Sequence, residues 1–161
     1  MSEKTAQPQS FELQKIYHKA ISYEAPDVPA AFLDEWKPSV KIDLNTSADR
    51  LSDTTYEVSL TVIATVSPTN AVDKTLFKLT LEQCGLFEIA GYEEQELIAL
   101  LGSYCPSQLY PYARATISDL IVQGGFPQLL LAPVDFDALL EDAVQRAQAE
   151  EEAKAKADAK G

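Results

Sequence analysis

Residues 56 to 66 read Tyr56-Glu57-Val58-Ser59-Leu60-Thr61-Val62-Ile63-Ala64-Thr65-Val66. An apolar side chain stands at every second position, and Glu57, Ser59, Thr61 and Thr65 fill most of the places between. Strand side chains point alternately to two faces, so this period of two predicts a strand with one buried face. Working outward, Ser67-Pro68-Thr69-Asn70 makes a turn, and Phe77, Leu79 and Leu81 then alternate with Lys78, Thr80 and Glu82 up to Gly85-Leu86-Phe87. Upstream, Val40, Ile42 and Leu44 alternate with Lys41 and Asp43. That predicts a short half-buried strand ended by a polar turn from Asn45 to Thr54. Phe11 and Leu13, alternating with Glu12 and Gln14, open a first strand that Ile16, Tyr17, Ile21 and Tyr23 continue. Its alternation slips near Ile16-Tyr17, where a bulge or a change of buried face is expected. Four such strands predict one antiparallel sheet.

The first and second strands are joined by a long connection, Ala25 to Pro38, in which Pro26 and Pro29 end the strand. It carries Phe32, Leu33 and the only tryptophan, Trp36. A loop holding large apolar residues must cover a core or line a groove, and long loops in compact domains are often functional.

After Gly91 the pattern becomes helical. Glu93 to Ser103 predicts one helix, interrupted by Gly102 and Pro106; a second starts at Tyr110-Pro111-Tyr112 and stops at Gly124-Gly125. The apolar linker from Phe126 to Val134 leads to Asp135, an expected N-cap, with Val134 and Leu139 as a hydrophobic staple. Phe136, Leu139, Leu140, Ala143, Val144 and Ala147 then form the core-facing stripe of an amphipathic helix. The fold class is therefore α+β: a four-stranded antiparallel sheet with a long crossover after strand one, backed by C-terminal helices. Residues 1–10 read as a disordered lead-in, 11–148 as one domain, and 149–161 as a charged flexible tail with no large apolar residue to pack.

The chain has 161 residues, 46% of them hydrophobic, enough for one domain with its own core. Its formal net charge is −12. A polyanion repels phosphate backbones and anionic membrane surfaces, so neither nucleic acid nor direct membrane insertion is expected. The charge favours solubility and basic partners. The polar start, MSEKTAQPQS, lacks the apolar region of a signal peptide, and Cys84 and Cys105 stand alone. Both observations point to the cytoplasm, with reduced, packed thiols.

Catalytic and cofactor signatures are missing. His18 is the only histidine, no Cys-x-x-Cys pair occurs, and no Gly-rich phosphate loop or Gly-x-Ser-x-Gly elbow is present. The reading is a non-enzyme with no cofactor and no metal.

Other stretches are more specific. Tyr17 to Pro26 (YHKAISYEAP), Trp36, and Val40-Lys41-Ile42-Asp43-Leu44 come first. Tyr104-Cys105-Pro106 and Tyr110-Pro111-Tyr112-Ala113-Arg114 follow, and then Gly125-Phe126-Pro127-Gln128-Leu129 through Asp135-Phe136-Asp137-Ala138-Leu139. In this order, over roughly residues 11 to 145, the chain resembles SecB, the bacterial protein-export chaperone family. The resemblance implies a homotetramer built as a dimer of dimers. It also implies ATP-independent holding of unfolded preproteins and their delivery to the motor SecA.

The resemblance further implies a client-binding groove at Phe32, Trp36, Val40, Ile42, Leu44, Phe136 and Leu140. It places Leu79, Leu81 and Gln83 on strand four, where assembly or client handling is affected. The acidic SecA-docking face of the family is matched at Glu24. Ala20 and Thr80 stand where carboxylates are common, and Lys78 also departs from the pattern; Glu82, two residues beyond Thr80 on the same strand face, supplies a substitute charge. Docking is expected to be re-registered around Glu24 and Glu82. Those missing carboxylates leave one alternative, a SecB-like chaperone dedicated to a single client such as a toxin–antitoxin system. A small-molecule enzyme on a similar sheet is the more distant alternative.

Overall fold

The computed structural model describes residues 8–159. Four strands, β1 (Ser10–Glu24), β2 (Pro38–Arg50), β3 (Thr55–Pro68) and β4 (Phe77–Ala90), form one antiparallel sheet in the order β1-β4-β3-β2. Three helices follow, α1 (Glu94–Ala99), α2 (Cys105–Gln123) and α3 (Phe136–Ala159). This is the α+β architecture expected from the alternating segments. The disordered lead-in was expected over residues that lie mostly outside the described ones.

β3 sits inside the sheet, and its six alternating apolar residues, Tyr56 to Val66, are all buried. Their partners on β4 are Phe87, Gly85, Gln83, Leu81, Leu79 and Phe77. Onto this shared face α2 lays Leu109, Ala113, Ile117 and Ile121, all buried, at the four-residue spacing that keeps one side of a helix turned to a flat support. The opposite sheet face is mostly polar, with Ile63, Cys84 and Leu86 among its hydroxyls and charges.

Three departures from the sequence reading have local causes. β2 does not stop at Leu44. It continues through Asn45 to Arg50, paired with Thr61 to Tyr56, because ladder hydrogen bonds to β3 satisfy its backbone whatever its side chains. The irregularity in β1 does not fall at Ile16-Tyr17, which pair in regular register with Gly85 and Cys84; it falls at two register shifts, between Leu13 and Lys15 and between His18 and Ala20. Gly102 and Pro106 do not break the helical region. Leu100–Tyr104 widens into a π turn, in which the Cys105 N–H reaches the Leu100 carbonyl, and Pro106, which has no N–H to donate, follows at the start of α2. α2 then runs through Pro111, where a new helix was expected to begin.

Asp135 caps α3 as expected, its Oδ1 accepting the Ala138 N–H at 3.1 Å. The stripe behind it does not all face the core: Phe136 is 4% exposed and Leu140 is half-buried, but Leu139 and Val144 are 45% and 42% exposed. Only the first turns of α3 rest on the body. Beyond Gln148 the charged segment continues as helix to Ala159, exposed to solvent through Asp158.

Candidate functional site

The end of α2 organises the first part of the site. The Gly125 N–H donates to the Val122 carbonyl at 3.0 Å and the Phe126 N–H to the Ile121 carbonyl at 3.2 Å, with Gly125 at φ +92°. This double closure of a helix end needs a left-handed residue, which glycine provides without strain, and it throws the next side chain back onto the helix. Here that side chain is Phe126, 5% exposed. Its ring lies 4.8 Å from Phe77, 5.1 Å from Phe32 and 5.7 Å from Trp36, centroid to centroid. Phe126 is thus the hub on which the crossover rests. The Gly-Gly-aromatic sequence after an apolar helix carried that signal, but reading it only as a stop missed it.

Phe32 remains 46% exposed on this support, and Trp36 is half-buried. From the end of the crossover, Val40, Ile42 and Leu44 point to the helix side of β2, paired with Val66, Ala64 and Val62. Val40 is 43% exposed, and the other two are half-buried. This row spans roughly 13 Å at strand rise. At its far end a cavity of about 520 Å³ opens between β2 and α3, lined by Leu44, Phe136, Leu139, Leu140 and Ala143 among others. Phe136 packs edge-on to Tyr110 at 5.7 Å and is part of the core. Leu140 sits on Gly102, where an added Cβ would come within 2.6 Å of its Cδ1. The seven groove candidates therefore fall into two clusters joined by the β2 row, and β2 is an edge of the sheet.

Leu79, Leu81 and Gln83 are fully buried on the α2 side of β4. Gln83 Nε2 donates to the Tyr17 carbonyl at 3.1 Å, beside the second register shift of β1. Its Oε1 has no partner among the described residues.

Glu24 and Glu82 are on the polar sheet face. Glu24 pairs with Lys78 and is exposed; Glu82 pairs with Ala20 and is half-buried. The Glu82 carboxylate therefore stands directly beside the alanine. Two other carboxylates of this face, Glu88 and Glu57, are engaged. Thr54 and Thr55 hydroxyls and the Gln14 amide donate to Glu88. The Tyr17 hydroxyl donates to Glu57 Oε2, and Lys19 Nζ lies 2.9 Å from Oε1.

These two donors, Tyr17 first and Lys19 second, hold the Glu57 carboxyl below the ordinary carboxylate range. Burial, and then Glu57, push the Tyr17 phenol up. The unfolded chain binds the Glu57 proton more readily than the folded one. The contribution of Glu57 to stability is therefore complete above the ordinary value of 4.5 and fades as pH falls through the lowered one. Glu57→Gln should lower stability at neutral pH, with the gap to the unsubstituted chain narrowing in acid. Denaturant titrations across the acid range will show this.

Among the described residues no helix is long and apolar enough to cross a membrane, and no group of three or more His, Cys, Asp or Glu could hold a metal ion. Both cysteines are buried and free; burial pushes the Cys105 thiol up to about 12.

The family model for the preprotein translocase subunit SecB matches residues 3–147. The chain is 46% identical over 149 residues to the protein-export protein SecB of Methylococcus capsulatus, covering 92% of this chain and 94% of that one. It is also 46% identical over 157 residues to that of Hahella chejuensis, covering 96% and 97%. Among solved structures, a SecB-like chaperone of Mycobacterium tuberculosis, in complex with an antitoxin peptide, superposes with a TM-score of 0.62 at 17% identity. The match covers 77% of this chain and 90% of the other. By this match over most of its length the chain is a member of the SecB family.

Proposed function

We propose that this chain is an ATP-independent holding chaperone of the cytoplasm, which binds unfolded precursor proteins and delivers them to SecA for export. The observation that carries this is the half-open row Val40, Ile42 and Leu44, beside an unpaired sheet edge, with an apolar cluster at each end. An unfolded client offers apolar side chains on an extended backbone. Such a segment can add to a sheet edge by main-chain bonds while alternate side chains enter the row. Each side chain fully buried contributes on the order of 1.5–3 kcal/mol. Several copies in a homotetramer, a dimer of dimers, would add weak contacts through effective concentration. None of this calls for hydrolysis.

Within this reading Trp36 and Phe32 meet the client directly. Phe136 supports Leu140 from beneath and is reached only if α3 lifts. Leu79, Leu81 and Gln83 act from inside the core, by setting the shape of the sheet on which copies assemble. The relatives at 46% identity are named for protein export, whereas the chaperone bound to an antitoxin peptide is only 17% identical. That favours export over a single dedicated client.

SecA docks on the polar sheet face through Glu24 and Glu82, neither of which has an ion-pair partner among the described residues. Reversing both, Glu24→Lys with Glu82→Lys, should weaken SecA binding about ten-fold or more at low salt, as expected for a charge-guided surface. Client affinity should be unchanged. Calorimetry with SecA will test it, and an unaltered SecA affinity would sink the docking assignment while leaving the holding function intact.

A further inference from the structure

The helix side of β4 carries the buried row Phe77, Leu79, Leu81, Gln83, Gly85 and Phe87, and Gln83 is its only polar side chain. Its Nε2 donates to the Tyr17 carbonyl at 3.1 Å, and its Oε1 has no partner among the described residues. A leucine would fill this place without the cost of a half-satisfied buried amide. What the glutamine adds is the bond to Tyr17.

That bond falls at the second register shift of β1. His18 pairs with Gln83 and Ala20 with Glu82, so Lys19 is an extra residue with no counterpart on β4. Such a bulge interrupts the ladder and leaves nearby backbone groups to other partners. It also moves every later side chain to the other face. Two contacts with α2 show the result. His18 Nε2 lies 3.2 Å from Thr116 Oγ1, and the Tyr23 ring lies against Gly124. His18 and Tyr23 are an odd number of positions apart, so an unbroken strand would turn them to opposite faces. Beyond the bulge, Ala20, Ser22 and Glu24 oppose Glu82, Thr80 and Lys78 on the polar face. Were the ladder regular after His18, Tyr23 would oppose Lys78 and Glu24 would turn toward the helices.

We propose that Gln83 is a positioning residue for the SecA-docking face: by holding the Tyr17 carbonyl it fixes the bulge at Lys19, and the bulge puts Glu24 on the same face as Glu82. The effect on SecA rests on the docking reading above, whereas the effect on register does not.

The test removes the clamp and then the residue it accommodates. Three full-length chains are compared: the unsubstituted chain, Gln83→Leu, and Gln83→Leu with Lys19 deleted. In the third, His18 is followed directly by Ala20, so the ladder needs no bulge and every later pair is kept. Register is read by an intrachain disulfide between Glu24→Cys and Lys78→Cys, added to each chain, because directly opposite residues come close enough to bridge. Cys84 and Cys105 are buried and stay out of the reaction. The crosslink should form in the first chain, be largely lost in the second and return in the third. SecA affinity, measured without the added cysteines, should fall about two- to five-fold at low salt in Gln83→Leu, the size of one exposed charge contact, and recover with the deletion. A crosslink undiminished in Gln83→Leu would overturn the proposal. So would a crosslink that stays lost after the deletion, which would leave Gln83 a packing residue only. If Gln83→Leu alone does not fold, deleting Lys19 should restore folding, and failure of both chains overturns the proposal equally. A crosslink that follows the expected pattern while SecA affinity stays constant would keep the clamp and overturn the docking of SecA through Glu24.

Discussion

Phe126→Ala should cost about 3–5 kcal/mol of stability, the range for removing a buried phenylalanine from a packed core. Phe126 contacts three aromatic rings on two separate pieces of chain: Phe77 on β4, and Phe32 and Trp36 at different points of the crossover. Well-oriented aromatic pairs add about 0.5–1.5 kcal/mol each beyond the area they bury, so the loss should lie toward the upper end. The damage should be local in its first effect. With its hub removed, the crossover loses the surface that seats Phe32 and Trp36, while the β3–β4 ladder persists. Trp36 is the only tryptophan, so its emission reports the change directly. Expected are a red shift in the folded state, a lower denaturant midpoint, and weaker client binding. An unshifted spectrum with full stability would remove Phe126 from the centre of the site.

Gly124→Ala should cost about 1–3 kcal/mol, the usual penalty for forcing a carbon into a packed place. The backbone there is ordinary, with φ −75° and ψ −2°, so an alanine meets no conformational strain. What it meets is the Tyr23 ring, with the new Cβ 2.2 Å from Oη and 2.6 Å from Cζ. Tyr23 holds the end of β1 beneath the end of α2, and its hydroxyl is buried with no partner among the described residues. A shorter side chain at position 23 removes the obstacle. In a Tyr23→Leu background the sign should therefore reverse, with Gly124→Ala stabilising by about 0.4–1 kcal/mol through the stiffer unfolded chain. Chemical denaturation of the four proteins in this cycle separates the steric account from any general preference for glycine at a helix end. A cost that stays the same in the Tyr23→Leu background would contradict the steric account.

The two predictions rest on features of unequal legibility. Strand alternation from Tyr56 to Val66, and from Phe77 to Leu81, announces the sheet, because a half-buried sheet imposes a period of two on any sequence that forms it. The outer half of β2 was illegible for the same reason. Residues 45 to 50 are exposed on both faces, so nothing selects an alternating pattern, and only pairing to β3 makes them a strand. The π turn was hidden too, since Gly102 and Pro106 read as breaks until Leu140 is seen resting on Gly102. The individual groove residues were recognisable through resemblance to a family, but their grouping was not. That Phe32 and Trp36 share one hub, while Phe136 and Leu140 belong to another cluster, depends on where the α2 terminus and the π turn place them.

The holding function is tested most directly by diluting a denatured, slow-folding precursor protein into buffer with this chain and no nucleotide, and following its refolding and aggregation. At a stoichiometric ratio of assembled chaperone to precursor, refolding should be arrested and aggregation suppressed, with the Trp36 emission altered by the bound client. Refolding and aggregation at the rate seen in buffer alone, or an arrest that appears only when ATP is added, would contradict it.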